Sequence, residues 1–278
     1  MNAAAEITLE QFIRIRDLIY QELGLFFEEK KLYFIGKRVE KRLELLNIAD
    51  PNEYIFFLRF NDAGGKEMQQ LANLVTTNET YMFREYEQLE AFANCCLPEV
   101  LDIKRAKKDN TIRVWCAGCS SGEEPYSLAI IMRETLANPE DWMVEIHATD
   151  IDEKVLGMAR RGHYEERSMR YVPEQYLGRH FKKGVTGYTV HPETSRLIKF
   201  EHLNLNDRLS MRSMRGFDFI FCRNVLIYFD DLSRKNVVDH FYNAMNPGGY
   251  VFLGHSESIG RITTAFKLKK AENFLVYT

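Results

Sequence analysis

The sequence predicts an α/β protein in two parts: an all-helical N-terminal region, then a parallel sheet wound with helices on both faces. Three observations carry this. Apolar residues recur at helical spacing through about residue 108, with little strand character. From Thr111 onward strand-like and helix-like runs alternate, the pattern of a parallel sheet built from crossover units. The first such pair encloses WCAGCSSGEEPYS, Trp115 to Ser127, where a strand-like TIRVWC enters a glycine-containing loop and PYSLAIIMRETL leaves it as a helix. The chain has 278 residues and is 45% hydrophobic and 13% aromatic, enough to bury one large core or two modest ones.

Along the chain, Thr8 to Gln11 fits a capping box, and Phe12, Ile15, Ile19 and Leu23 follow on one helical face. A second helix is expected from about Glu28 to Leu46, with Leu32, Ile35, Val39, Leu43 and Leu46 on one side. Asp50-Pro51-x-Glu53 supplies a cap, a first-turn proline and an acid for a third helix through Phe60. KEMQQLANLV opens a fourth, and a further helix carrying Leu89, Phe92 and Leu97 is expected to break near Pro98. The helical domain therefore covers residues 1–88, with a charged linker to about 110.

In residues 111–278, IRVWC, VEIHATD, RLIKFEHLNL, FDFIFCRN and GGYVFLGHSE read as strands, separated in part by helices at 125–137, 153–161 and 231–245. FKLKKAENFLVYT ends the chain as an antiparallel hairpin, and 163–196 departs from the rhythm as an inserted β-subdomain. A net charge of −3 argues against a polyanion such as RNA as partner. No apolar run reaches the ~18 residues of a membrane span. The N-terminus lacks the basic flank and apolar core of a leader, and five cysteines without framework spacing fit reduced thiols, so a cytoplasmic protein is expected.

Ligands of open parallel sheets sit beyond the strand carboxyl ends. The first loop, Gly118-x-x-x-Gly122, is neither the dinucleotide fingerprint nor a Walker loop, and Glu123 and Glu124 would repel a diphosphate. Asp150, ending the second strand, is placed for ribose hydroxyls. S-adenosylmethionine, a nucleoside with an ammonium, a sulfonium and no phosphate, meets these demands. The plainer alternatives are that the glutamates complement the helix dipole and that Asp150 caps the next helix. Cys116-x-x-Cys119 has no second pair or histidine partner, and no metal site is expected.

TTNETYMFRE, WCAGCSSGEEPYSLAI, ATDID, FCRNVLIYFD and PGGYVFLGHSES, in that order, resemble the CheR family of chemoreceptor glutamate methyltransferases. The resemblance spans nearly the whole chain. It implies a helical domain joined to a class I, Rossmann-like S-adenosylmethionine-dependent methyltransferase domain, with glutamyl methyl esters on methyl-accepting chemoreceptors as product. It assigns Asn78, Thr80, Arg84, Glu124, Asp150, Asn204, Leu205, Asn224 and Val225 to the cofactor. Arg84 and Tyr228 are the candidates for catalysis. Taken singly, the asparagines also fit turns, and Tyr228 a core aromatic.

On the second helix Lys30, Lys37 and Lys41, flanked by Arg38 and Arg42, lie opposite the apolar stripe. The resemblance turns this solvated face into a docking surface for acidic receptor helices. Some family members grip a receptor tether peptide with a longer hairpin loop in the insertion; FKKGVTGYTVHPETS is a few residues short of that, so a tether-independent monomer is expected. The rival readings are a methyltransferase of another protein or RNA, and a non-catalytic scaffold that binds cofactor or receptor.

Overall fold

The alternation from Thr111 onward builds one seven-stranded sheet in the computed structural model, which describes residues 6–278. Residues 1–5, the start of the segment read for a leader, lie outside the described residues. The strands are β1 (Thr111–Ala117), β2 (Met143–Asp150), β6 (Ile198–His202), β7 (Phe217–Cys222), β8 (Met245–Leu253), β9 (Leu268–Ala271) and β10 (Phe274–Tyr277), while β3 (His163–Tyr164), β4 (Phe181–Lys183) and β5 (Tyr188–Val190) form a separate three-stranded sheet. The large sheet runs β6-β2-β1-β7-β8-β10-β9, parallel except for the terminal hairpin. The small sheet, ordered β3-β5-β4, is the expected insertion, its hairpin closed by the four residues 184–187.

The N-terminal region folds largely as read. Helix α1 (Leu9–Leu23) carries the Thr8/Gln11 capping box, and its four predicted apolar residues are all buried. Helix α2 (Leu32–Leu46) starts later than expected, after a short 3₁₀ turn over Glu29–Lys31, and buries Ile35, Val39 and Leu43, while Leu46 at its end is exposed. Asp50 caps α3 (Pro51–Phe56), which widens into a π segment, and α4 (Lys66–Val75) follows.

The stretch expected as a break and linker differs. Helix α5 (Tyr86–Ala91) passes through a π segment, Phe92–Cys96, directly into α6 (Leu97–Ala106). Pro98 follows directly on the π segment, whose wider turn accommodates a residue with no N–H to give. This helical run lies on the sheet: Phe92 meets Phe219, Phe221 and Phe252 edge-on at 4.9, 5.4 and 5.9 Å. The same face takes α7 (Glu123–Thr135) and the insertion, whereas the opposite face takes the N-terminal helices and Phe241 in one continuous core. Among the described residues no helix is long and apolar enough to cross a membrane.

One polar cluster holds the helical layer from inside. Arg42 forms a fork with Glu67 at 2.8 and 2.6 Å, and the buried Tyr54 hydroxyl donates to the same carboxylate at 2.7 Å. Glu67 is only 5% exposed, so removing its partner strands a buried charge. We expect Arg42→Ala to cost about 2–3 kcal/mol in urea unfolding, and Arg42→Met combined with Glu67→Leu to cost less than either single change.

Candidate active site

Four loops meet beyond the carboxyl ends of β1, β2, β6 and β7, and the registers that align the strands also level the loops. Cys116 lies opposite Ala148 on one side and Phe221 on the other. The β1 loop folds over the end of β2: the N–H groups of Gly118 and Cys119 both donate to the Thr149 carbonyl, at 2.8 and 2.9 Å. Ser120 N–H donates to Asp150 at 2.7 Å. Gly118 has φ +88°, and a Cβ there would fall 2.4 Å from Val225 Cγ2. That closeness brings the β1 and β7 loops together and requires glycine.

A fifth segment crosses from the helical region. Phe83 and Glu85, at φ +57° and +54°, hold Arg84 between two left-handed residues. For non-glycine residues this conformation is costly, about 1 kcal/mol each, and specific partners offset it. The Phe83 ring is buried and its N–H donates to Ser127 Oγ at 2.8 Å. The Arg223 guanidinium donates to the Arg84 carbonyl at 2.6 Å and pairs with Glu85 at 3.1 Å and Glu124 at 3.2 Å.

Together these segments enclose a cavity of about 1000 Å³, its open mouth included. Asn78, Thr80, Arg84, Glu124, Asp150, Asn204, Leu205, Asn224, Val225 and Tyr228 all line it. Two of them are engaged elsewhere. The Asn78 side chain donates to Asp152 at 2.8 Å. The Asn204 amide accepts from Asn206 N–H at 2.9 Å and donates to the Glu22 carbonyl at 2.7 Å, tying the sheet to the end of α1. Sequence reasoning did not single out Arg223, Leu25 or Phe27 as lining residues. Arg223 carried one signal, a charge set directly after an apolar strand; the other two carried none.

The two loop glutamates separate. Glu124 faces the cavity, while Glu123 turns away and accepts from Ser121 Oγ at 2.7 Å and Ser168 Oγ at 3.1 Å. Burial pushes both carboxyls up, opposed at Glu124 by Arg223. Burial also lifts Asp150 to about 6, against the pull of the Asp152 and Ser120 amides.

The basic face of α2 is thinner than expected. Arg38 stacks on Phe34, 3.4 Å from the ring centroid, and donates to the Leu74 and Phe34 carbonyls. Arg42 is committed to Glu67. Neither stands free for a partner, because both extend sideways from the helix into the domain. Lys30, Lys37 and Lys41 remain exposed, the first two paired with Glu28 and Glu40.

Two family models match the chain: a CheR methyltransferase all-alpha domain over residues 10–76 and a CheR methyltransferase SAM binding domain over residues 78–275. The chain belongs to the CheR methyltransferase family. A relative named chemotaxis protein methyltransferase 2, from Vibrio cholerae, is 43% identical over 95% of this chain and 91% of its own. The chemotaxis protein methyltransferases of Borreliella burgdorferi and Escherichia coli K12 are each 34% identical over 93% of this chain, and over 91% and 87% of theirs. The chain is thus an S-adenosylmethionine-dependent methyltransferase of the CheR family.

The CheR cavity suits this cofactor chemically. Its two carboxylates, Glu124 and Asp150, would match an ammonium and a ribose diol, and Asn224 Oδ1 is a buried acceptor with no partner among the described residues. A ribose at Asp150 would make the fit pH-dependent. As an ionised acceptor Asp150 would serve two hydroxyls; once protonated it loses one acceptor site. Binding therefore favours the ionised form, and affinity for S-adenosylmethionine should be constant above pH ~6.5 and fall up to about tenfold per unit below about 6. The free protein should show the opposite trend: the raised carboxyl contributes most stability below its unfolded pKa, and this is lost as pH rises through about 6. Calorimetric titration and unfolding of Asp150→Asn beside the parent, which should flatten both profiles, check the assignment.

Proposed function

We propose that the protein methylates glutamate side-chain carboxylates of chemoreceptors, forming glutamyl methyl esters in chemotaxis. The observation carrying this is one cavity in which the buried Asp150 and the largely buried Glu124 share the walls with the partly exposed Arg84 and Tyr228. The carboxylates suit a cationic nucleoside, and Arg84 suits an anionic acceptor. Relatives covering nearly the whole chain are named chemotaxis protein methyltransferases. When bound, S-adenosylmethionine supplies an electrophilic methyl group on sulfur.

In this reading Glu124 and the Asn224 carbonyl oxygen hold the ammonium, Asp150 the ribose, and Leu205 and Val225 the flanking apolar surface. Asn78 and Asn204 act through the frame they tie together, and Thr80 completes the wall beside Arg84. A receptor glutamate is already ionised at neutral pH, so no residue has to remove a proton. The chain's task is to orient that carboxylate and strip its water. Arg84 gives one N–H to the Glu79 carbonyl at 2.8 Å, leaving four donors, enough for a bidentate grip. The Tyr228 hydroxyl donates to an acceptor oxygen. The division of labour falls near residue 77, between a helical region that brings the receptor and the sheet-bearing remainder that holds the cofactor. A monomer acting in the cytoplasm without a receptor tether fits the short hairpin of the insertion, with Lys30, Lys37 and Lys41 meeting acidic receptor helices.

Receptor-containing membranes given methyl-labelled S-adenosylmethionine should acquire label that alkali releases as methanol. Arg84→Ala should lower kcat/KM about 100-fold and Tyr228→Phe about tenfold. Label stable to alkali, or cofactor binding with no receptor label, rules the reading out. Docking is tested separately. Lys37→Glu with Lys41→Glu should raise the KM for receptor about tenfold at low salt, leave kcat and cofactor affinity unchanged, and matter less as salt is added.

A further inference from the structure

The turn that presents Asn224 and Tyr228 to the cavity is held from behind by a residue that does not line it. Asn224 has φ +60°, a left-handed conformation that asparagine adopts more readily than most residues, and Ile227 lies in the 3₁₀ turn Leu226–Tyr228. The N–H of Asn224 donates to Glu257 Oε2 at 2.7 Å and that of Ile227 to Glu257 Oε1 at 3.2 Å. Gly254 N–H donates to the same Oε2 at 2.8 Å, fastening the end of β8 to this carboxylate. The two loops touch so closely that a Cβ on Gly254 would lie 2.9 Å from Asn224 Nδ2.

We infer that Glu257 is a positioning residue for methyl transfer, setting Asn224 and Tyr228 at once through the backbone of their shared turn. The inference rests on the roles proposed above for those two residues. A carboxylate suits the task because it only accepts, and it has enough lone pairs for three N–H groups. Its charge strengthens each bond. Glutamine keeps one accepting oxygen, but its amide nitrogen must then oppose a backbone N–H; alanine frees all three groups. With residues 224 and 227 fixed, the Tyr228 N–H, which donates to the Val225 carbonyl at 3.2 Å, and the Tyr228 carbonyl, which accepts from Phe26 N–H at 2.9 Å, have no freedom to shift.

The test compares Glu257→Ala and Glu257→Gln with the parent in kcat, in cofactor dissociation constant and in amide exchange at Asn224, Ile227 and Gly254. Positioning predicts that kcat falls about tenfold in the alanine variant, as much as removing the Tyr228 hydroxyl itself, and by a smaller amount in the glutamine variant. Cofactor affinity should change far less than kcat. In a Tyr228→Phe background the further loss from Glu257→Gln should shrink to within about twofold, because the two residues act as one unit. A merely structural role gives losses that multiply in the double variant, and that outcome, or a kcat within twofold of the parent in Glu257→Ala, overturns the inference. If the parent transfers no alkali-labile methyl, the proposed function fails and exchange alone decides: unchanged rates at Asn224 and Ile227 in Glu257→Ala sink the positioning role.

Discussion

The site depends on one buried cation. The Arg223 side chain is 3% exposed and stands at the end of β7 between two carboxylates, Glu85 from the segment after the helical region and Glu124 from α7. Without it these like charges would share a low-dielectric wall, and each would cost several kcal/mol to keep ionised. With it, three chain segments far apart in sequence converge on one guanidinium. Its third contact, to the Arg84 carbonyl, closes the turn in which Phe83 and Glu85 are both left-handed. A lysine has the charge but carries its three donors on one nitrogen, so it could not reach partners spread over both terminal nitrogens of the guanidinium.

Neighbouring glutamates on α7 illustrate how the helix distributes its work. Successive side chains point about 100° apart, so Glu124 looks into the cavity and Glu123 toward the insertion. There Ser168 links twice: its hydroxyl donates to Glu123 and its carbonyl accepts from Met82 N–H at 2.9 Å, two residues before Arg84. Tyr164 of β3 adds a bond to the Ser121 carbonyl at 2.7 Å. The small sheet is thereby joined to the cofactor loop and to the arginine segment. A force on the insertion reaches both.

Much of this was legible in the sequence, because strand ends are local features. A parallel strand announces its own carboxyl end, and Asp150 was found in this way; Asn204 and Asn224 came from the family resemblance and agree with that placement. Depth and distant partners were not legible. The helical wheel put Arg38 and Arg42 on an outward flank, but Arg42 reaches a carboxylate 25 positions away and Arg38 a carbonyl 36 away. Glu257 stood in GHSES with no role assigned, and two of its partners lie 30 and 33 residues upstream. Pro98 signalled a break that the preceding π segment makes unnecessary.

The helical region is itself a wall of the cavity. Past α1, Gly24 takes φ +73°, where a Cβ would press on Asn206 and Phe229 at 3.0 Å, and the chain turns into Leu25 to Phe27. Leu25 bridges Phe229, and Phe26 N–H bonds the Tyr228 carbonyl, so alternate residues Leu25 and Phe27 point into the cavity and Phe26 points out, 44% exposed. Asn204 and Asn206 hold the other side through the Glu22 and Gln21 carbonyls, at 2.7 and 3.1 Å. Tyr228 is therefore clasped between Glu257 behind it and the end of α1 in front. Since α2 carries the exposed Lys37 and Lys41 and packs on α1 in the same core, a receptor docked there would lie only two packed elements from the residue proposed to meet its glutamate. On the docking proposed above, that proximity needs no moving part, because α1, α2 and the Tyr228 turn pack into one core.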